Sequence, residues 1–212
     1  KDETPFRFGS FTTMGELYVE TGLNELRMSN YRRILSLDSA MVVVQFDKDG
    51  VQYQRKYFIS YPDSVMVMKF TANQSGKQNL ILSYCPNSEA KSNLRADGKD
   101  GLVYTGVLDN NGMKFAFRIK AIHKGGTLEA ENDRLIVKGA DEVVFLLTAD
   151  TDYKMNFNPD FKDPKTYVGN DPEQTTRIMM DQAVQKGYDE LYRNHEADHT
   201  ALFNRVRLQL NP

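Results

Sequence analysis

His195, Glu196, Ala197, Asp198 and His199 carry the sharpest chemical spacing in this chain. On a helix, histidines four positions apart lie one turn apart on one face. Two such imidazoles can hold zinc, with the intervening glutamate as base for the metal-bound water. The same spacing arises where two histidines line the face of a helix that docks on another layer. The sequence favours docking. After His199 the segment TALFNRVRLQLNP offers no His, Asp or Glu to complete a ligand set. The third histidine, His123, falls on a predicted strand far away in sequence. No metal ligand is assigned on this reading.

Other carboxylate groupings are weaker. Asp97-Gly98-Lys99-Asp100-Gly101 lacks the alternating ligands and terminal glutamate of a calcium loop, so it reads as a solvated turn. Asp150 and Asp152 follow an apolar run and read as strand-end caps. Glu16 and Glu20 alternate on a predicted strand and read as surface groups. Paired carboxylates are the machinery of glycosidases, but the chain has 29 acidic residues and spacing singles out no pair. Gly125-Gly126 does not open a helix, so no phosphate loop is read there. Asn73-Gln74-Ser75 fits the N-glycosylation pattern at a frequency chance explains. No catalytic or cofactor-binding residue is assigned, and no cofactor is expected.

Composition narrows the classes. With 27 basic and 29 acidic residues, the chain has no electrostatic footprint for nucleic acid or for a membrane surface. No apolar run reaches the roughly 20 residues a spanning helix needs. The opening KDETPFRFGS has no signal-peptide pattern and suggests a trimmed product. The single cysteine, Cys85, excludes an internal disulfide framework. Eleven tyrosines fit sugar-stacking platforms and strand propensity equally well.

The elements that must position these groups are strands. Residues 31–70 read as four of them. YRRILSLD alternates, AMVVVQF reads as buried on both faces, VQYQRKYFIS alternates again, and SVMVMKF is apolar on both faces. Asp47-Lys48-Asp49-Gly50 and Tyr61-Pro62-Asp63 supply the turns. GELYVE, NLILSYC, the stretch 101–109, MKFAFRIKAIH, TLEAE, RLIVKG and DEVVFLLTAD add further strands. The polar stretch 86–101 reads as a long connection. Hairpin-like spacing predicts a β-meander folded into two packed sheets.

The period changes after residue 150. Residues 151–170 read as an ordered loop leaving the sandwich. Asn170 or Asp171 can cap a helix with Pro172 in its first turn. Steps of three and four run through Val184, Tyr188, Leu191, His195, His199, Leu202 and Val206, with Gly187 marking a kink or break. Leu191, Leu202 and Phe203 are expected to be buried, and Glu196 exposed or salt-bridged. RVRLQL, 205–210, is expected to return to a strand.

The segments YRRILSLDSA and RKYFISYPD, then GADEVVFLLTADTDY and LYRNHEADHTALFNRVRLQL, resemble in order and spacing the N-terminal β domain of glycoside hydrolase family 95, the α-L-fucosidase-like enzymes. The resemblance runs from about residue 8 to the end and accounts for His195 without a metal. It implies a mainly β chain, a large antiparallel β-sandwich of the supersandwich kind with a C-terminal linker helix. Residues 1–153 would be the sandwich. Residues 154–212 would be loop, linker helix and returning strand, leading to an (α/α)₆ barrel as partner in the same polypeptide. The family's inverting hydrolysis of fucosylated glycans is carried by a glutamate acid and an asparagine–aspartate pair in that barrel, so none of those roles transfers to a residue here. The resemblance also implies a periplasmic or secreted parent. Two other classes compete: a free-standing carbohydrate-binding module and a zinc peptidase.

Overall fold

The computed structural model describes residues 13–24, 26–86, 90–109, 111–131 and 133–206. Among the described residues twelve strands precede one helix. They are β1 (Gly15–Glu20), β2 (Met28–Ser36), β3 (Met41–Lys48), β4 (Val51–Ser60), β5 (Val65–Ala72), β6 (Gln78–Pro86), β7 (Ala90–Ala96), β8 (Gly101–Leu108), β9 (Lys114–Lys124), β10 (Thr127–Ala130), β11 (Arg134–Ala140) and β12 (Glu142–Thr151); the helix is α1 (Pro172–Phe203). An eight-stranded sheet runs β2-β3-β4-β5-β12-β9-β8-β7, and a four-stranded sheet runs β1-β6-β11-β10. The ladders between these strands are antiparallel. The molecule is therefore mainly β, a two-sheet sandwich with a C-terminal helix, as the sequence implies.

The layers follow from which strand faces are apolar. Leu80, Leu82, Leu135 and Val137 of the smaller sheet pack on Phe70, Tyr104, Phe117, Ile119, Val143 and Phe145 of the larger one. The opposite face of the larger sheet buries Met41, Phe58, Val65, Val67, Val144 and Leu146 beneath Met180, Ala183 and Leu191 of α1. Hence β5 and β12, adjacent at the centre, must be apolar on both faces: one row meets a sheet and the other a helix. That is why SVMVMKF and DEVVFLLTAD show no alternation.

Four expectations need correction. AMVVVQF is less buried than its composition suggests. Only Met41 and Phe46 of its apolar residues are buried, because β3 lies one strand from the edge and β2 beyond it is exposed. The stretch 86–101 contains a strand, β7, which closes the other edge by pairing with β8. Its sequence AKSNLRA is polar because an edge strand meets water. The order is also no simple meander. β2–β5 and β7–β9 are two meanders bridged by β12, while β6, β10 and β11 lie in the other sheet. Lastly, Leu202 and Phe203 are exposed, and Glu196 is half-buried, accepting a hydrogen bond from Tyr192 Oη (2.9 Å) instead of pairing with a cation. The strand expected at 205–210 lies largely outside the described residues.

The loop before the helix is held by its own bonds. Lys154 N donates to Tyr167 O (2.8 Å), Gly169 N to Asp152 O (2.6 Å), and Asn156 Nδ2 to Thr166 O (3.1 Å). Asp171 caps α1, accepting from Glu173 N (3.1 Å), with Pro172 at the first turn. Gly187 interrupts the helix with φ 72° and ψ 171°, a conformation essentially closed to residues with a Cβ. A Cβ there would meet nothing within 4 Å, so substitution is opposed by the backbone alone. Gly187→Ala is expected to destabilise the chain by about 1–3 kcal/mol, measured by denaturant unfolding. No loss would mean that the helix can straighten freely.

Candidate functional site

The histidine pair lies where the second half of α1 crosses the turn joining β2 to β3. His195 Nε2 is 3.0 Å from Ser39 O and 3.1 Å from Ala40 O, and His199 Nε2 is 2.7 Å from Leu37 O. A carbonyl oxygen only accepts, so both Nε2 atoms carry hydrogen and donate. A donating nitrogen has no lone pair for a metal. The rings are also packed. His195 stacks on Phe58 (centroids 4.9 Å apart) and on His199 (6.4 Å), and His199 stacks on Phe203 (5.2 Å). Glu196, the base in a metallopeptidase reading, turns to Tyr192. Among the described residues no three His, Cys, Asp or Glu side chains converge as a metal cage. The motif is a pair of clamps: two imidazoles fasten the helix to the backbone of a turn 156 and 162 residues earlier. Added zinc is expected to leave the melting temperature unchanged, and prolonged chelation likewise. Stoichiometric zinc that survives dialysis and is released by His199→Ala would overturn the clamp reading.

A second cluster, not singled out from the sequence, lies next to it. Asp63, in the β4–β5 turn, has a side chain only 2 % exposed. Its Oδ2 accepts from Ser60 Oγ (2.6 Å), and its Oδ1 accepts from Lys186 Nζ (2.6 Å) and Asn194 Nδ2 (3.1 Å). Lys186 precedes the Gly187 kink and Asn194 follows it, so one carboxylate holds both halves of the helix. Burial alone would raise the Asp63 pKa, but the hydrogen bonds from Lys186, Ser60 and Asn194 outweigh it and hold the carboxyl below its ordinary range. The cue in the sequence was the Tyr61-Pro62-Asp63 turn, legible only as a strand break. Nearby, Lys69 Nζ sits over the Tyr188 ring at 4.2 Å, and burial pushes the Tyr188 hydroxyl up to about 12.

The remaining candidates are structural. Glu142 lies between Lys69 (2.8 Å) and Lys124 (2.9 Å). Asp97 pairs with the buried Arg118, and Asp100 with Lys120 (3.1 Å), so the loop read as a weak cation motif already binds the chain's own cations. Asp152 extends the β9–β12 ladder, accepting from Lys114 N (2.9 Å), and Asp150 accepts from Thr151 N (2.8 Å). Asn73 is exposed, and its Oδ1 accepts from Gln52 N (2.9 Å), mimicking one more ladder rung. These groups stabilise turns and layers.

Comparison with known proteins places this architecture. The family model described as glycosyl hydrolase family 65, N-terminal domain, matches residues 2–156. "Probable alpha-fucosidase A" of Aspergillus niger is 27 % identical over 98 % of this chain. "Alpha-L-fucosidase 2" of Arabidopsis thaliana is 26 % identical over 95 % of it. The chain spans 26 % of the length of each of these relatives. A solved structure described as a kojibiose phosphorylase from human microbiome shares the fold, with TM-score 0.60 and 10 % identity over 89 % of this chain and 27 % of its own. The resemblance to fucosidase-like enzymes thus holds along nearly the whole sequence, and the match over residues 2–156 shows that the chain belongs to the glycosyl hydrolase family 65 N-terminal domain family.

Proposed function

We propose that this chain is the non-catalytic N-terminal domain of a fucosidase-like glycoside hydrolase that releases fucose from glycans with inversion. Residues 1–153 are its sandwich. Residues 154–212 lead to a catalytic helical barrel, its partner in the same polypeptide. The observation that carries this reading is the mismatch of coverage: two fucosidases align with nearly all of this chain, yet it accounts for 26 % of either. The side chains agree with that division. Inverting hydrolysis needs an acid and a base about 6.5–9.5 Å apart, flanking a bound sugar. Here Asp63, Asp97 and Glu142 are engaged by lysine or arginine. A periplasmic or secreted parent is carried by the resemblance, and fractionation of the source cells tests it.

The experiment is turnover of an aryl α-L-fucoside. This chain alone is expected to show none. The parent polypeptide, including the domain that follows, is expected to release the sugar, with the β-anomer first in the product. Hydrolysis by the isolated chain, abolished on replacing one of its own carboxylates, would overturn the proposal.

A further inference from the structure

Helix α1 keeps apolar residues to its end, but the last of them have no sheet beneath. Leu202 is 56 % exposed and Phe203 42 %. They share a surface with the turn after β2. His199 donates to the Leu37 carbonyl and stacks on Phe203, so the helix end and the turn are held side by side. Leu35 and Leu37, on the turn side, are 62 % and 63 % exposed. β2 itself is the edge of the larger sheet and is exposed from Ser29 through Leu35. An apolar edge strand left in water is a template for unwanted pairing, which natural chains cover.

What covers it follows from the relatives. α1 closes at Phe203, on this surface. The matching family model is that of an N-terminal domain, and the relatives are 26 % covered by this chain, so most of their polypeptide lies elsewhere, beyond the N-terminal domain. A domain tethered here would meet the surface at a high effective concentration, with no separate association step. We propose that Leu35, Leu37, Leu202 and Phe203 form the seat of the domain that follows this chain in its parent polypeptide. The inference rests on the parentage proposed above. It explains why helical spacing marks Leu202 and Phe203 for burial while the structure leaves them open: the burying partner is the next domain and not the sandwich.

The test is carbene labelling read by mass spectrometry, on this chain and on the parent polypeptide. Peptides containing Leu35 and Leu37, and those containing Leu202 and Phe203, are expected to lose labelling several-fold in the parent. Leu37→Asp and Leu202→Asp should restore it in the parent and split its melting into two transitions. In this chain alone the same variants should leave the melting temperature nearly unchanged, because those side chains already meet water. Equal labelling in both polypeptides would overturn the proposal. So would protection in the short chain together with a dimer mass in sedimentation, which would give the surface to a second copy. Fucoside turnover, measured in parallel, separates the two ideas. Protection without turnover keeps the seat and removes the fucosidase reading; turnover without protection does the reverse.

Discussion

Leu191→Ala lowers the stability of this chain by about 2–5 kcal/mol, the range for emptying a buried leucine site; Leu202→Ala, at the next-to-last residue of the same helix, leaves it nearly unchanged. Leu191 is fully buried, in the cluster of Met41, Phe58, Val65 and Val67 on the helix-facing side of the larger sheet. Around it Phe58 makes edge contacts with Tyr188 and Tyr192 and stacks on His195. This is close-packed material that cannot collapse into a void, since Phe58 is fixed by a strand and the two tyrosines by a helix. For a domain of about 200 residues each kcal/mol shifts the melting temperature by roughly 2–4 °C, so a fall of roughly 4–20 °C is expected. Leu202 is 56 % exposed in this chain, and truncating it removes little buried area. Thermal melts of the two variants, side by side, check the assignment. Equal falls would show that the helix presents a different face to the sheet.

The contrast between these two leucines shows what the sequence could convey. Period distinguishes an apolar face from a polar one, so α1 was legible together with a cap at Asn170 or Asp171, of which the structure uses Asp171, and with its interruption at Gly187. Period does not say how far the surface beneath a helix extends. The sheet runs out at the β2–β3 turn, and residues that continue the pattern beyond it meet water. The same limit applies to strands. SVMVMKF was legible as apolar on both faces and is central as β5, but AMVVVQF gave a similar signal and lies one strand from the edge as β3. β7 was missed because an exposed edge strand has the composition of a loop. Nothing local to β12 specifies that it inserts between β5 and β9, since that pairing joins segments far apart in the chain.

At the candidate site the balance was similar. The absence of a third ligand near His199 pointed to docking, and the structure supplies the reason: each Nε2 hydrogen is given to a carbonyl. Those acceptors could not be read in advance, because backbone carbonyls carry no sequence signature. The Asp63 cluster was hidden for the same kind of reason. Its members come from a turn and from both sides of a helix kink, with sequence separations of 123 and 131 between Asp63 and its partners on the helix.

Asp63 also sets the expected response to acid. Its folded-state pKa lies below its ordinary 3.8, so it contributes stability at neutral pH that is lost as pH falls through the folded-state value. Lys186→Met removes the cation and one hydrogen bond while Asp63 stays buried beside Ser60 and Asn194. Burial is then opposed only by the hydrogen bonds from Ser60 and Asn194, and the carboxyl pKa rises. The stability that the ionised group contributes at pH 7 shrinks, and the loss is relieved as the group is protonated on acidification. Removing one partner of a buried pair commonly costs about 3–5 kcal/mol. The Lys186 side chain is 33 % exposed, so part of its charge was already screened and the lower end of that range, or somewhat less, is expected. Asp63→Asn keeps the shape of the turn and leaves the lysine to reach water, so it should be milder. The double variant should be more stable than Lys186→Met alone, because it removes the stranded charge. Urea denaturation of the wild type and the three variants at pH 7 and pH 4 reads all of this. The deficit of Lys186→Met relative to wild type should shrink at pH 4. A deficit that is the same at both pH values, with no rescue in the double variant, would mean that Lys186 stabilises the fold through its methylene packing and not by holding the Asp63 charge.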